Sequence, residues 1–403
     1  MEHPHEVTLP AGAIEVPPSS RWRRLPAIAG AVGVGALALS FALGRSDGPQ
    51  LYHSYLVAYL FGLSLALGGL FFVLLQYATR AGWSVVVRRL AEHVMATLPL
   101  FALLWLPIGL WGFDDVFHHW AHPPPDDPVL AWKEPYLNPG AFYVRAAVYF
   151  AVWTLLAVWF WRRSRRQDEE REPAITRRLQ SLSAPALILF GLTLTYAAID
   201  WIMSLDPHWF STIFGVYVFA GSVVAILAFL ILVALSLRGS GLLDGVLTWE
   251  HFHDLGKLLF AFVVFWAYIA FSQFMLIWYA NIPEETEWFI HRWHHGWQYA
   301  SIFLAAGHFG LPFLFLLPQE VKRSRAGLTF AASWLLFMHY VDLYWLVMPS
   351  LHHEHFHVDL LDLTCLIGVV SLVFAVFAYL LVRGKLVPVG DPRLAESMAL
   401  EVL

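Results

Sequence analysis

"STIFGVYVFAGSVVAILAFLILVALSL", residues 211–237, runs for 27 positions without one charged side chain. A helix needs about 20 mostly apolar residues to cross the hydrocarbon core of a bilayer, and this stretch exceeds that. Nine more stretches qualify. The 403 residues therefore read as ten spans, near 25–43, 51–78, 90–110, 141–161, 183–202, 211–237, 258–280, 297–317, 327–348 and 359–382. Lipid offers backbone N–H and C=O groups no partner, so each span is expected to be helical. Composition points the same way. Hydrophobic residues make up 59% of the chain, charged residues 14%, and the mean hydropathy is +0.60. A soluble domain is about 25% charged and could not wet its surface with so few. The net charge of −5 offers no basic surface for nucleic acid. The reading is an all-α membrane protein.

The basic residues orient it. With the N-terminus inside, 21 of 25 Lys and Arg fall on inner segments, and only Arg45, Lys133, Arg145 and Arg292 fall outside. That bias places both termini in the cytoplasm and requires an even number of spans. The opening "MEHPHEVTLPAGAIEVPPSS" lacks the order of a cleaved signal peptide. Residues 1–24 read as a cytoplasmic tail, 25–382 as the membrane domain and 383–403 as a second cytoplasmic tail. The inner loops read as plain positive anchors, except "TWEHFHDLGK" (248–257), which carries two His and two carboxylates. The only cysteine, Cys365, excludes an internal disulfide, a Cys-ligated iron–sulfur cluster and a c-type haem attachment in this chain.

Titratable residues in the spans are the next signal. A charged side chain at the centre of a spanning helix costs roughly 2.5 kcal/mol or more, yet "HYVDLYWLVMPSLHHEHFHVD" (339–359) holds His339 and Asp342 among apolar neighbours. At 1.5 Å per residue, His339 and His308 both fall near mid-membrane, on spans joined by a short inner loop. Asp342 is one turn from His339 on the same face. Asp200, Asp206 and His208 step down from the outer surface on the fifth span, and Asp359 and Asp362 begin the tenth. Twelve of the 19 histidines lie on the outer side. "AIDWIMSLDPHW" and "YVDLYWLVMPSLHH" echo each other four spans apart, which divides the chain into spans 2–5 and 6–9 with spans 1 and 10 flanking.

Stepped His and Asp side chains can form a proton relay, because imidazole titrates near neutrality. The alternative is that each is a satisfied hydrogen-bonder holding helices together. His308 and His339 at equal depth are also candidates for ligating a b-type haem. The outer "HHEHFH" has metal-ligand residue types but no ligand frame. No catalytic residue and no metal site is assigned. Ten spans with buried charges also fit a secondary transporter, although no Gly/Pro-broken pair of short helices stands out.

Three stretches carry a family resemblance: "LTYAAIDWIMSLDPHWFSTIFGVYVFAGS" (194–222), "FWAYIAFSQFMLIWYANIPEETEWF" (265–289) and "LVPVGDPRLAESMALEV" (386–402). From about residue 25 onward the chain resembles the NrfD/PsrC-like membrane subunits of bacterial alternative complex III, the ActF type in particular. That complex is a quinol:cytochrome c oxidoreductase of the bacterial inner membrane. The resemblance implies two four-helix bundles plus flanking helices. It implies partner subunits carrying iron–sulfur clusters and c haems, an NrfD-like paralogue better suited to the quinol or menaquinol site, and a terminal oxidase as a further neighbour. It leaves any quinone-binding residue in this chain unknown and implies polar half-channels for protons. On depth and residue type, Glu250, His251, His253 and Asp254 would form an inner mouth. His308, His339 and Asp342 would form the middle. Asp200, Asp206, His208, Asp359 and the 352–357 histidines would form the exit.

Overall fold

Ten helices long and apolar enough to span a bilayer occur among the described residues, which are residue 9 and residues 14–400 of a computed structural model. Helix makes up 79% of the chain and no strand occurs among the described residues, so this is an all-α, multi-span membrane protein. The spans are α1 (Leu25–Leu43), α2 (Gly48–Ala78), α3 (Val85–Leu110), α4 (Pro139–Glu170), α5 (Pro173–Trp201), α6 (Phe214–Gly239), α7 (Trp249–Ala280), α8 (Trp297–Leu316), α9 (Arg325–Val347) and α10 (Leu360–Arg383). Local chemistry sets their starts. Asp47, Asn138, Ser324 and Asp359 cap exposed N–H groups of α2, α4, α9 and α10. Prolines occupy the first turns of α2, α4 and α5, where no backbone donor is needed.

Two helices form the centre. The apolar window of α2 is 94% buried against 17% for α1. Helix α2 packs on α3, α5, α6, α9 and α10, while α6 packs on α2, α5, α7 and α9. The neighbours of α2–α5 close a four-helix ring, those of α6–α9 close a second, and α10 lies beside α1 and α2. The rings meet closely at Gly68. A Cβ there would stand 2.5 Å from the Ser222 carbonyl oxygen, so only glycine lets α2 and α6 approach this far.

Several expectations are corrected. "TWEHFHDLGK" is not a loop, because α7 begins at Trp249 and His251 completes its capping box with Thr248. Helix α3 is interrupted beside Pro99 and Pro107, and α8 widens to a π-helical turn at Ala305–Gly310. These breaks fall in the second helix of one ring and the third of the other, so they make no matching pair of the transporter kind.

The inner arginines are not all solvated anchors either. Arg88 and Arg89 are buried. Arg88 pairs with Glu92 at 3.3 Å and with Asp391; Arg89 pairs with Glu92 at 3.1 Å and with Asp168 at 2.9 Å. Asp391 belongs to the segment expected to be a free tail. That segment instead folds across the inner end of the bundle. Ser397 Oγ donates to the Trp83 carbonyl at 2.7 Å, and the Leu386 N–H donates to the Ile14 carbonyl at 2.8 Å. Residues 1–8 and 10–13 of the expected N-terminal tail, and 401–403 of the C-terminal one, lie outside the described residues.

Candidate functional site

Asp342 lies on α9 and is 2% exposed. It accepts hydrogen bonds from the Tyr217 hydroxyl on α6 and from Trp266 Nε1 on α7, the latter at 3.1 Å. Both donors are neutral, and no cation stands within ion-pair distance among the described residues. The Trp266 ring stacks on His308 of α8 with centroids 3.9 Å apart. His308 sits in the π-helical turn, and neither ring nitrogen has a partner among the described residues. Four helices thus converge on one carboxylate.

His339 is one turn below Asp342 on α9. Its Nε2 donates to Ser64 Oγ of α2 at 2.8 Å, while Ser64 donates onward to the Phe61 carbonyl at 2.7 Å. That leaves His339 Nδ1 as a buried acceptor without a partner. Gly221 of α6 makes the room: a Cβ there would lie 3.1 Å from His339 Nδ1 and 3.7 Å from Asp342 Oδ2. A cavity of about 30 Å³ lies beside these groups, lined by Ser64, Trp201, Tyr217, Gly221, His339 and Asp342 among others. Its volume would admit a water or two, not a ring-sized ligand. The haem reading of His308 and His339 therefore does not fit. One imidazole is committed to Ser64 and the other lies flat on Trp266.

Asp200 occupies the corresponding place in the first ring but has different partners. Arg145 of α4 binds it through Nε at 2.8 Å and Nη2 at 2.9 Å, and the Tyr149 hydroxyl donates at 2.7 Å. Asp200 is thus tied to a part-buried guanidinium, whereas Asp342 can change charge without stranding a cation. The two carboxylates matched by sequence are therefore chemically unlike.

The remaining residues sort by depth. Asp206 faces Arg292 at 3.5 Å. Arg292 is 1% exposed and donates to the carbonyls of Trp288, Trp345 and Leu346, with its guanidinium 3.6 Å over the Trp288 ring. Burial pushes its pKa down to about 10, against the opposing pull of Asp206, so it remains a cation at neutral pH. It closes the C-terminal end of α9 above Asp342. His208 is not in a buried descent: its Nε2 donates to Asp127 Oδ2 at 2.6 Å on the outer surface. Asp359 caps α10, and its neighbour Asp362 is the buried one. Asp362 accepts from Ser54 Oγ at 2.5 Å and from the Tyr344 hydroxyl at 3.2 Å. The rings of His352, His355 and His357 lie near one another, 5.0–5.8 Å apart. Among the described residues no three His, Cys, Asp or Glu gather as metal ligands.

At the inner end, His251 is held by Thr248 and by the Ser397 carbonyl, with its Nε2 donating at 3.0 Å. His253 lies 4.0 Å from Glu250, which is itself bound by Arg323 at 2.8 Å. His308, His339 and Asp342 lie in one neighbourhood, linked through Trp266 and α9; Asp200, Asp206, His208, Asp359, His251 and His253 belong to separate local arrangements. Sequence reasoning missed Tyr217, Trp266, Ser64 and Gly221, which look like ordinary residues of apolar spans. It also missed Arg145, whose position inside a span was itself a signal. The chain matches no family model, and no curated protein sequence matches it.

Proposed function

We propose that this chain is a membrane subunit of a quinol:electron-acceptor oxidoreductase of the alternative complex III kind, in the bacterial cytoplasmic membrane, and that its Asp342 centre relays protons. One observation carries the relay: a buried carboxylate with neutral donors only, beside an imidazole with a free nitrogen and a small cavity that both groups border. Water in that gap can bridge His339 Nδ1 and Asp342. A proton arriving at His339 would pass to Asp342, and rotation of the Tyr217 hydroxyl would hand it towards the outer end. Arg292, a fixed cation above the site, would oppose the return of protons.

The redox assignment rests on the resemblance of the 194–222, 265–289 and 386–402 segments. Quinol oxidation yields two electrons and two protons. On this reading the electrons go to iron–sulfur clusters and c haems of partner subunits, and a paralogous membrane subunit oxidises the quinol. The small size of the cavity beside Asp342 supports placing the quinol elsewhere.

The test is Asp342→Asn in the intact complex, purified through a tag on this chain and reconstituted in liposomes. Copurifying c-haem absorbance is expected, with normal quinol oxidation and a lower proton yield per electron. Absence of redox partners would overturn the subunit assignment; an unchanged proton yield would overturn the relay.

A further inference from the structure

Helix α4 is longer than a bilayer core requires. Its 32 residues extend roughly 48 Å, against about 30 Å of hydrocarbon. Starting from the outer cap at Asn138, the core is used up near residue 160, and the final turns stand at the level of inner-leaflet headgroups. The outward face of these turns borders an open space of about 460 Å³, lined by α4 alone through Thr154, Leu155, Val158, Trp159 and the three arginines Arg162, Arg163 and Arg166. The order along the groove is apolar, aromatic, then cationic, which is the order of a phospholipid from acyl chain to phosphate. The opposite face, with Trp153, Ala157, Phe160 and Ser164, is buried in the protein.

Two of the three arginines here are unmatched. Arg88, Arg89, Lys257, Arg323 and Arg393 each have an acidic partner, whereas the neighbouring Arg165, Arg177 and Arg178 have none among the described residues. In the groove Arg166 is paired with Glu170 at 2.6 Å. Arg162 and Arg163 have no acidic partner among the described residues; Arg163 lies over the Trp159 ring at 5.9 Å. Two adjacent uncompensated guanidinium groups leave a local charge of two, and the planar donor fork of arginine suits phosphate oxygens.

We infer that this groove is a binding site for an anionic inner-leaflet phospholipid, best matched by a headgroup with two phosphates, with Arg162 and Arg163 on the phosphates and Leu155, Val158 and Trp159 along the acyl chains. The inference is independent of the relay and of the redox assignment. Zwitterionic lipids bring a choline or ethanolamine cation to the same arginines and fit poorly.

The experiment uses the full chain in mild detergent, with cardiolipin and phosphatidylcholine as probes and native mass spectrometry as the readout. The wild type should retain cardiolipin over phosphatidylcholine at equal supply. R162Q/R163Q should lower cardiolipin retention at least five-fold and leave phosphatidylcholine unchanged. R177Q/R178Q, which removes the same charge from the exposed start of α5, should change cardiolipin retention less than two-fold. Equal retention by R162Q/R163Q and wild type would overturn the site. Equal loss in both double variants would also overturn it, by showing a general charge effect. A thermal melt of each variant separates lost binding from lost folding.

Discussion

Arg145 grips Asp200 with two N–H bonds, of 2.8 and 2.9 Å, while Asp342, its counterpart four spans later, is held by a tyrosine and a tryptophan alone. Two carboxylates that look alike in sequence thus have opposite uses. One is half of a part-buried ion pair and the other meets only neutral donors.

The contrast predicts opposite phenotypes. Asp200→Ala strands a mostly buried guanidinium and should destabilise the protein by about 3 kcal/mol, seen as a lower melting temperature and poor recovery of the purified chain. Asp342→Asn keeps size and polarity and should leave the melting temperature within a few degrees, while lowering proton yield. A stable Asp200→Ala protein would show that the pair does not hold α4 to α5.

Gly221→Ala should separate stability from function. Alanine gains about 1 kcal/mol of helix propensity, but its Cβ would lie 3.0 Å from His339 Cε1. The gain roughly offsets the crowding, so thermal stability should barely move. His339 should rotate off Ser64, and proton yield should fall as it does in Asp342→Asn. Wild-type proton yield in this variant would mean that the His339–Ser64 geometry is dispensable.

The C-terminal segment should behave as part of the membrane domain. Asp391→Ala leaves Arg88 partly unpaired in a buried network and should cost about 3 kcal/mol. Glu396→Ala breaks an exposed pair with Arg393 and should cost less than about 1 kcal/mol. Chemical denaturation in detergent micelles measures both; equal effects would contradict the buried network.

The outer surface should respond to acid. Burial, with His357 and His355 adding to it, holds the pKa of His352 below its ordinary value of 6.5, and its Nε2 donates to Gln50 Oε1 at 2.6 Å. The folded protein therefore binds this proton less readily than the unfolded chain. Its stabilising contribution is complete above pH 6.5 and declines as pH falls below that value towards the folded pKa. The melting temperature should drop over that window, and His352→Gln should flatten the drop. A pH-independent melt in the wild type would exclude this linkage.

The amino-acid sequence by itself determined the fold class and the ten spans, because hydrophobic length is a local property; the ends of several, such as the start of α7 at Trp249, appeared only in the structure. Rise per residue also led the sequence to set His308 and His339 near one depth, with Asp342 a turn away. Tertiary structure alone decided partners. Whether a buried carboxylate meets Arg145 or Tyr217 depends on which helices approach and how they rotate, and a lone Tyr or Trp in an apolar span gives no sign of its direction. The same holds at the inner end. Arg88 and Arg89 fit the pattern of surface anchors, but the returning C-terminal segment buried them against Glu92, Asp168 and Asp391, because charges withdrawn from water must find opposite charges within reach.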